Sequence, residues 1–124
     1  MPEQRAAGGA AIVNGKLHVV GGTTASTIGG PSTLAKTMLV YNIAADRWST
    51  RRGPTPREHL GVAALGGKIY AVGGRTAGFD TNMARVESFS PRTGRWARLP
   101  KVPGRRGGTG VAGTGRSLVS VGGE

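Results

Sequence analysis

The sequence contains no cysteine, which excludes disulfide bonds, thiolate metal sites and cysteine nucleophiles. Acidic residues are scarce, because six Asp and Glu face 17 Lys and Arg and the formal net charge is +11. Aromatic residues make up only 5% of the chain, so the potential core consists mainly of small side chains. No apolar run approaches the length of a membrane-spanning helix, and the first residues lack the apolar segment of a signal peptide. We therefore expect no membrane contact, and the compartment stays unknown because a longer parent protein could be secreted.

The excess of basic residues attracts anions non-specifically. These residues are spread along the chain rather than gathered in one run, which is typical of a solvated, arginine-rich surface. A site for single-stranded nucleic acid interleaves basic residues with stacking aromatic side chains. Four of the six aromatic residues belong instead to the repeat described next: Tyr41, Trp48, Phe89 and Trp96. A nucleic acid is therefore not expected as a partner.

Glycine is abundant, with 23 residues, and it marks an internal repeat. Three stretches that begin at Arg5, Arg57 and Arg106 align without a gap: RAAGGAAIVNGKLHVVGG, REHLGVAALGGKIYAVGG and RGGTGVAGTGRSLVSVGG. Each stretch ends in a Gly-Gly pair, and successive pairs lie about fifty residues apart. A period of this length is typical of a propeller or a solenoid that is built from one supersecondary unit.

Each full repeat contains four short segments of β-strand character. Asn14-Gly15 and Gly66-Gly67 predict hairpin turns between the first two segments, because both central positions of such a turn need a positive φ. Long loops at 23–36 and 75–84 separate the second segment from the third. The predicted strands are 6–13, 16–20, 38–43 and 47–51 in the first repeat, 60–65, 68–72, 85–90 and 95–99 in the second, and 110–114 and 117–121 in the third.

This ordered set of features resembles the kelch-repeat β-propellers. The matching features are Gly-Gly after an apolar strand (LHVVGG, IYAVGG, LVSVGG), an aromatic residue in LVYN and VESF, and a Trp seven residues later. The resemblance implies an all-β fold with four-stranded antiparallel blades around a central axis. Closure takes about four to eight blades, so we expect an incomplete propeller and a fragment of a longer protein. Residues 1–124 would form a partial propeller with blades at 5–52 and 57–101 and a half blade at 106–124.

In a repeat protein, structural residues recur, whereas functional residues tend to differ between units. This distinction predicts a structural role for the three recurring arginines. The candidate ligand-binding residues lie in or beside the loops: Arg52, Arg75, Asp80, Asn82 and Arg105. The arginines would attract acidic partners, while the side chains of Asp80 and Asn82 would contact a ligand or cap the backbone of their own loop. The two histidines have no ligand spacing, so we predict neither a metal nor another cofactor, and no catalytic residue.

The resemblance implies a binding or scaffold module that acts through its inter-strand loops and is not itself catalytic. Its expected partners are another protein or the remaining propeller blades, with association of copies of this chain through exposed blade faces as a further alternative. The alternative function is that of a fragment of a carbohydrate-active propeller enzyme, similar to the sugar oxidases or a sialic acid mutarotase, with most catalytic groups absent. A purely structural piece is the third alternative.

Overall fold

The computed structural model describes residues 1–25 and 33–124, which consist of strands, turns and one short 3-10 turn at Phe79–Thr81. Within these ranges, no helix is long and apolar enough to cross a membrane. The strands are β1 (Gly9–Val13), β2 (Lys16–Val20), β3 (Thr23–Ala25), β4 (Thr33–Leu34), β5 (Thr37–Asn42), β6 (Arg47–Arg52), β7 (Gly61–Leu65), β8 (Lys68–Val72), β9 (Val86–Ser90), β10 (Arg95–Leu99), β11 (Gly110–Gly113) and β12 (Leu118–Val121).

The strands build one antiparallel blade per repeat. The first blade has the order β1-β2-β5-β6, the second has the order β7-β8-β9-β10, and the third repeat contributes the hairpin β11-β12. The inner strands β1, β7 and β11 contact one another in sequence, so the blades stack side by side. This arrangement confirms the predicted all-β fold of two four-stranded antiparallel blades plus half a blade.

The hairpin turns form where the sequence predicts them. Asn14 and Gly15 have φ values of 51° and 69°, and Gly66 and Gly67 have φ values of 56° and 74°. All four φ values are positive, as a two-residue hairpin turn requires. The two turns fix the register of β1 on β2 and of β7 on β8.

Two predicted segments need correction. The first strand begins at Gly9 rather than at residue 6, because Ala7 has a φ of +55° and interrupts the extended backbone. The predicted loop at 23–36 contains the short strands β3 and β4, which pair with each other, and Ala6 forms a bridge with Thr23. Residues 26–32 of that loop lie outside the described residues.

The hydrophobic core lies between the first and second blades. Alternate side chains of each strand point to one face, and the apolar faces of the two blades meet there. The first blade contributes Val13, Val20, Met38 and Val40, and the second contributes Leu60, Ile69, Ala71 and Phe89. A Cβ on Gly9 would lie 2.5 Å from a methyl carbon of Val62, so a residue without a side chain is needed where the inner strands approach.

The aromatic residues of each repeat form a cross-strand pair within their blade. The ring centroids of Tyr41 and Trp48 are 4.9 Å apart, and those of Phe89 and Trp96 are 5.3 Å apart. Phe89 is buried between the blades, and Trp96 packs against the same core and donates its indole N–H to the Arg52 carbonyl at 2.9 Å. Tyr41 follows the core residue Val40, so the first pair lies on the face of the first blade that points away from the second.

Candidate functional site

The recurring arginines hold the Gly-Gly pair of their own repeat. In each repeat the guanidinium donates to the carbonyl of the first glycine: Arg5 to Gly21 at 3.1 Å, Arg57 to Gly73 at 2.7 Å and Arg106 to Gly122 at 3.1 Å. All six glycines of the three pairs have a positive φ, between 62° and 98°. The same contact in three repeats supports the structural interpretation of these arginines.

Arg57 is fully buried and forms an ion pair with Glu87. It also donates to the carbonyls of Thr55 at 2.9 Å and Ala71 at 3.1 Å. The other carboxylate oxygen of Glu87 accepts hydrogen bonds from the hydroxyl and the amide of Thr55. Burial lowers the pKa of Arg57, an effect opposed by the hydrogen bond and the charge of Glu87. Every polar atom of the pair thus faces a partner inside the second blade, which indicates a structural role.

The pair predicts a loss of stability in acid. Burial alone would raise the pKa of Glu87, but the hydrogen bonds and the charge of Arg57, with Thr55, hold that pKa below its ordinary value. A depressed folded-state pKa stabilises the fold at pH values above the unfolded-state pKa of about 4.3, and the contribution disappears as the pH falls through the folded-state pKa. We expect urea midpoints of the wild type to fall below about pH 4.3, and those of Glu87→Gln to fall less. Equal pH dependence in both proteins would contradict an ionised Glu87.

At the positions that follow the recurring arginine and the Gly-Gly pair, the first two repeats share one backbone conformation but carry different side chains. Bridges Ala6–Thr23 and Glu58–Arg75 occupy equivalent positions, and Ala7 and His59 have matching φ values of 55° and 50°. The residue after the Gly-Gly pair is Thr23 in the first repeat, Arg75 in the second and Glu124 in the third. The two residues after the recurring arginine are, in the same order, Ala6-Ala7, Glu58-His59 and Gly107-Gly108. Since the first repeat forms this backbone with uncharged residues, the charges of the second repeat are not needed to build it.

Arg75 is the centre of a polar cluster at the end of the blades where β7 begins and β8 ends, which we call the rim. Its Nε donates to Glu58 Oε1 at 3.0 Å, and its Nη1 donates to Glu124 Oε1 at 3.1 Å. Its guanidinium lies 4.7 Å from the centroid of the Phe79 ring, within the range of a cation–π contact. His59 Nδ1 lies 3.1 Å from Glu58 Oε1. These five residues form the Arg75 cluster, in which the Arg75 side chain is only 12% exposed.

The structure brings three other predicted site residues together beside this cluster. Asp80, Asn82 and Arg105 line one depression of about 330 Å³. Asn82 Nδ2 also donates to the backbone carbonyl of Glu124, which links the depression to the Arg75 cluster. Loop capping is performed by Thr81, whose hydroxyl oxygen accepts the amides at 76 and 77 and donates to the carbonyl at 78. The side chain of Asp80 makes no hydrogen bond within residues 1–25 and 33–124, so ligand contact stays the prediction for it.

Arg52 lies elsewhere. It lines a cleft of about 770 Å³ between the first and second blades, together with Lys36, Arg95 and Trp96. Four of the five predicted residues therefore lie at or beside the Arg75 cluster, and the fifth belongs to a different surface.

The predicted binding residues do not include Glu58, His59, Phe79 or Glu124. Glu58 and His59 could have been found from the sequence, because they stand at the positions where the first repeat has Ala6 and Ala7. Phe79 is an aromatic residue outside the repeat. The contact of Glu124 with Arg75 joins two repeats, and no local pattern predicts it. Within the described part of the chain, no group of three or more His, Asp or Glu side chains is placed to hold a metal ion.

Comparison with known proteins explains the recurring residues. The family model for the Kelch motif matches residues 56–103, which contain all four strands of the second blade. The chain belongs to the kelch-repeat family. The predicted resemblance is thereby confirmed, and the two sheets are kelch blades.

The kelch relatives are much longer than this chain. Kelch domain-containing protein 8B of Rattus norvegicus is 35% identical over 133 aligned residues, which cover 99% of this chain and 36% of the relative. An F-box/kelch-repeat protein of Arabidopsis thaliana is 26% identical and covers 73% of this chain and 25% of its own length. Kelch-like ECH-associated protein 1A of Danio rerio is 38% identical over 60% of this chain and 12% of the relative. The chain thus spans between 12% and 36% of the length of these three relatives.

Proposed function

We propose that this chain acts in a kelch propeller that binds a protein partner through its rim loops and is not itself catalytic. The observation that carries the proposal is the Arg75 cluster, whose charged residues occupy backbone positions that hold Ala6, Ala7 and Thr23 in the first repeat. A charged cluster that the blade does not need is best explained by recognition.

The composition of the cluster suits a protein interface. Arginine and aromatic side chains are enriched among the residues that dominate binding energy at interfaces. Phe79 is 63% exposed and lies beside the guanidinium of Arg75, so the rim offers an apolar surface next to paired charges of both signs. Two carboxylates already hold Arg75 in place, which lowers the entropy cost of binding. The relatives support the same class of function, because one is named as an ECH-associated protein.

The outer faces of the first blade and of the third repeat expose apolar side chains, which suit contact with further blades. Ile12 on the first blade is 57% exposed, and Val121 on the third repeat is 67% exposed. The counterparts of Val121 in the repeat, Val20 and Val72, are both buried. We infer that these two faces pack against further blades, supplied by the same protein or by another copy of this chain.

The rim proposal predicts that peptides selected by this chain depend on Arg75. We would select 12-residue peptides from a random phage-displayed library on the immobilised chain and measure their affinities by fluorescence anisotropy. Arg75→Ala is expected to weaken the selected peptides by about tenfold or more, because a preorganised charged contact at an interface contributes more than about 1.4 kcal/mol.

The matched control is Arg116→Ala, which removes the same charge from the exposed turn between β11 and β12. This control is expected to change the affinity by less than about twofold, since a distant exposed charge contributes little. Urea unfolding of both variants checks that the blades remain intact. Unchanged affinity in Arg75→Ala, or an equal loss in both variants, would refute recognition at the rim.

A further inference from the structure

The carboxylates of the chain leave most of its cations without an ionic partner. All six acidic residues lie in the described ranges, yet of the 17 Lys and Arg residues only Arg5, Arg57 and Arg75 lie within 4 Å of a carboxylate there. The remaining cations have no ion pair with described residues, so where several of them converge they create an uncompensated positive potential.

Such a convergence lies in the groove between the first and second blades. Two clefts of about 770 Å³ and about 300 Å³ adjoin there, and Gly94 of the turn at 91–94 lines both. We call the whole surface the basic groove. Its cations are Lys36, Arg52 and Arg95 in the larger cleft and Lys16, Arg51 and Arg92 in the smaller one.

Several of these cations are specific to the first repeat. When the repeats are aligned on Trp48 and Trp96, the positions of Lys36, Arg51 and Arg52 correspond to Ala84, Leu99 and Pro100. The second blade forms the same four strands with those uncharged residues. The three cations are therefore not required by the blade itself.

The cleft between the second and third repeats carries less charge. A cleft of about 330 Å³ lies between the second and third repeats, and Arg106 is the one charged residue among the described residues that line it. Val72, Val102 and Leu118 are among the apolar residues of that cleft. The six cations of the basic groove thus converge at the junction of the first and second blades, whereas the third repeat has two strands and no counterpart of Arg92 or Arg95.

The one carboxylate in the larger cleft does not neutralise its cations. Glu87 lines that cleft, but Arg57 and Thr55 occupy both of its oxygens, as described above. The ion pair of Glu87 with Arg57 is neutral as a unit. Lys36, Arg52 and Arg95 therefore remain available to an anion from solution.

We propose that the basic groove binds an acidic peptide segment of a partner protein. Its cations suit carboxylates, which arginine binds through two parallel hydrogen bonds. Trp96, Pro54 and Pro56 add apolar walls for the aliphatic part of the segment. The surface suits single-stranded nucleic acid poorly, because successive bases need several free aromatic faces, whereas Trp96 packs on Phe89 and its N–H is bound to Arg52. This site is separate from the Arg75 cluster, since Arg75 lines neither cleft.

The test is fluorescence anisotropy with a labelled ten-residue peptide of alternating Asp and Gly, in 150 mM salt, where distant charges are largely screened. Lys36→Gln/Arg52→Gln is expected to weaken binding by about tenfold or more, since two charge-assisted contacts are lost. The matched control is Lys68→Gln/Arg116→Gln, which removes two exposed charges, one at the start of β8 and one in the turn between β11 and β12. It is expected to change the affinity by less than about threefold. Arg75→Ala is expected to keep the affinity of the wild type.

Four outcomes would overturn the proposal. Equal losses in the two double variants would show a diffuse attraction of the net charge. Equal binding of the Asn and Gly counterpart peptide would show that charge is not recognised. Tighter binding of a ten-residue oligothymidylate would identify a nucleic-acid surface instead. Loss of acidic-peptide binding in Arg75→Ala would show that this peptide binds at the rim instead. If only the rim proposal fails, the prediction for the basic groove is unaffected.

Discussion

Arg57→Met is expected to lower the free energy of unfolding by about 3–5 kcal/mol, the usual cost of removing one partner of a buried ion pair. The substitution keeps a long aliphatic side chain but leaves the Glu87 carboxylate buried without its cation. It also removes the donors to the carbonyls of Thr55, Ala71 and Gly73. Urea unfolding followed by circular dichroism measures the loss.

The control for this prediction is the same change in the third repeat. Arg106 is exposed and its side chain forms one hydrogen bond, to the Gly122 carbonyl, within the described residues. Arg106→Met is therefore expected to cost less than about 1 kcal/mol. Comparable losses at the two positions would show that burial and the ion pair do not distinguish Arg57 from the other recurring arginines.

Gly73→Ala is expected to destabilise the fold by about 3 kcal/mol or more, because two separate costs add at this position. The backbone of Gly73 has a φ of +62°, where a side chain is strained. An added Cβ would also lie 2.5 Å from the carbonyl oxygen of Arg106. That oxygen is fixed in place, since it accepts the amide of Gly74 at 2.8 Å. The clash is with backbone rather than with a side chain that can rotate away.

Gly67→Ala separates the two costs. Gly67 has a φ of +74° but no atom within 4 Å of its hypothetical Cβ, so only the conformational strain applies. Its expected cost is about 1–2 kcal/mol. Differential scanning calorimetry of both variants measures the difference, and a smaller loss for Gly73→Ala than for Gly67→Ala would contradict close packing at the Gly-Gly pair.

The strands that follow clear turn signals could be predicted from the sequence. Lys16–Val20, Lys68–Val72 and Arg95–Leu99 have the predicted bounds, because Asn14-Gly15, Gly66-Gly67 and the turn at 91–94 fix where each of them begins. The beginning of β1 could not be predicted, since no residue pattern marks the positive φ of Ala7, which contacts the neighbouring repeat. One such contact is the hydrogen bond from the His59 amide to the Ala7 carbonyl at 2.7 Å.

The candidate site could be predicted only in part. Arg75, Asp80, Asn82 and Arg105 were selected because they lie in or beside the loops, and the fold gathers them at the rim. Arg52 was predicted to lie beside the segment that links the blades, but it is the last residue of β6 and lines the basic groove. The partners of Arg75 come from segments before β7 and after β12, and their approach depends on the packing of two repeats.

The most direct test of the account transfers the residues of the first repeat into the second, as Glu58→Ala/His59→Ala/Arg75→Thr. If recurring residues hold the blades and non-recurring residues bind the partner, the free energy of unfolding should stay within about 1 kcal/mol of the wild type. Glu58 and His59 are removed together with Arg75, and the partner that remains, Glu124, has a side chain that is 55% exposed to solvent. The peptides selected on the wild-type chain should then bind at least about tenfold more weakly. Unchanged peptide affinity in a folded variant, or a loss of several kcal/mol in stability, would contradict this division between structural and binding residues.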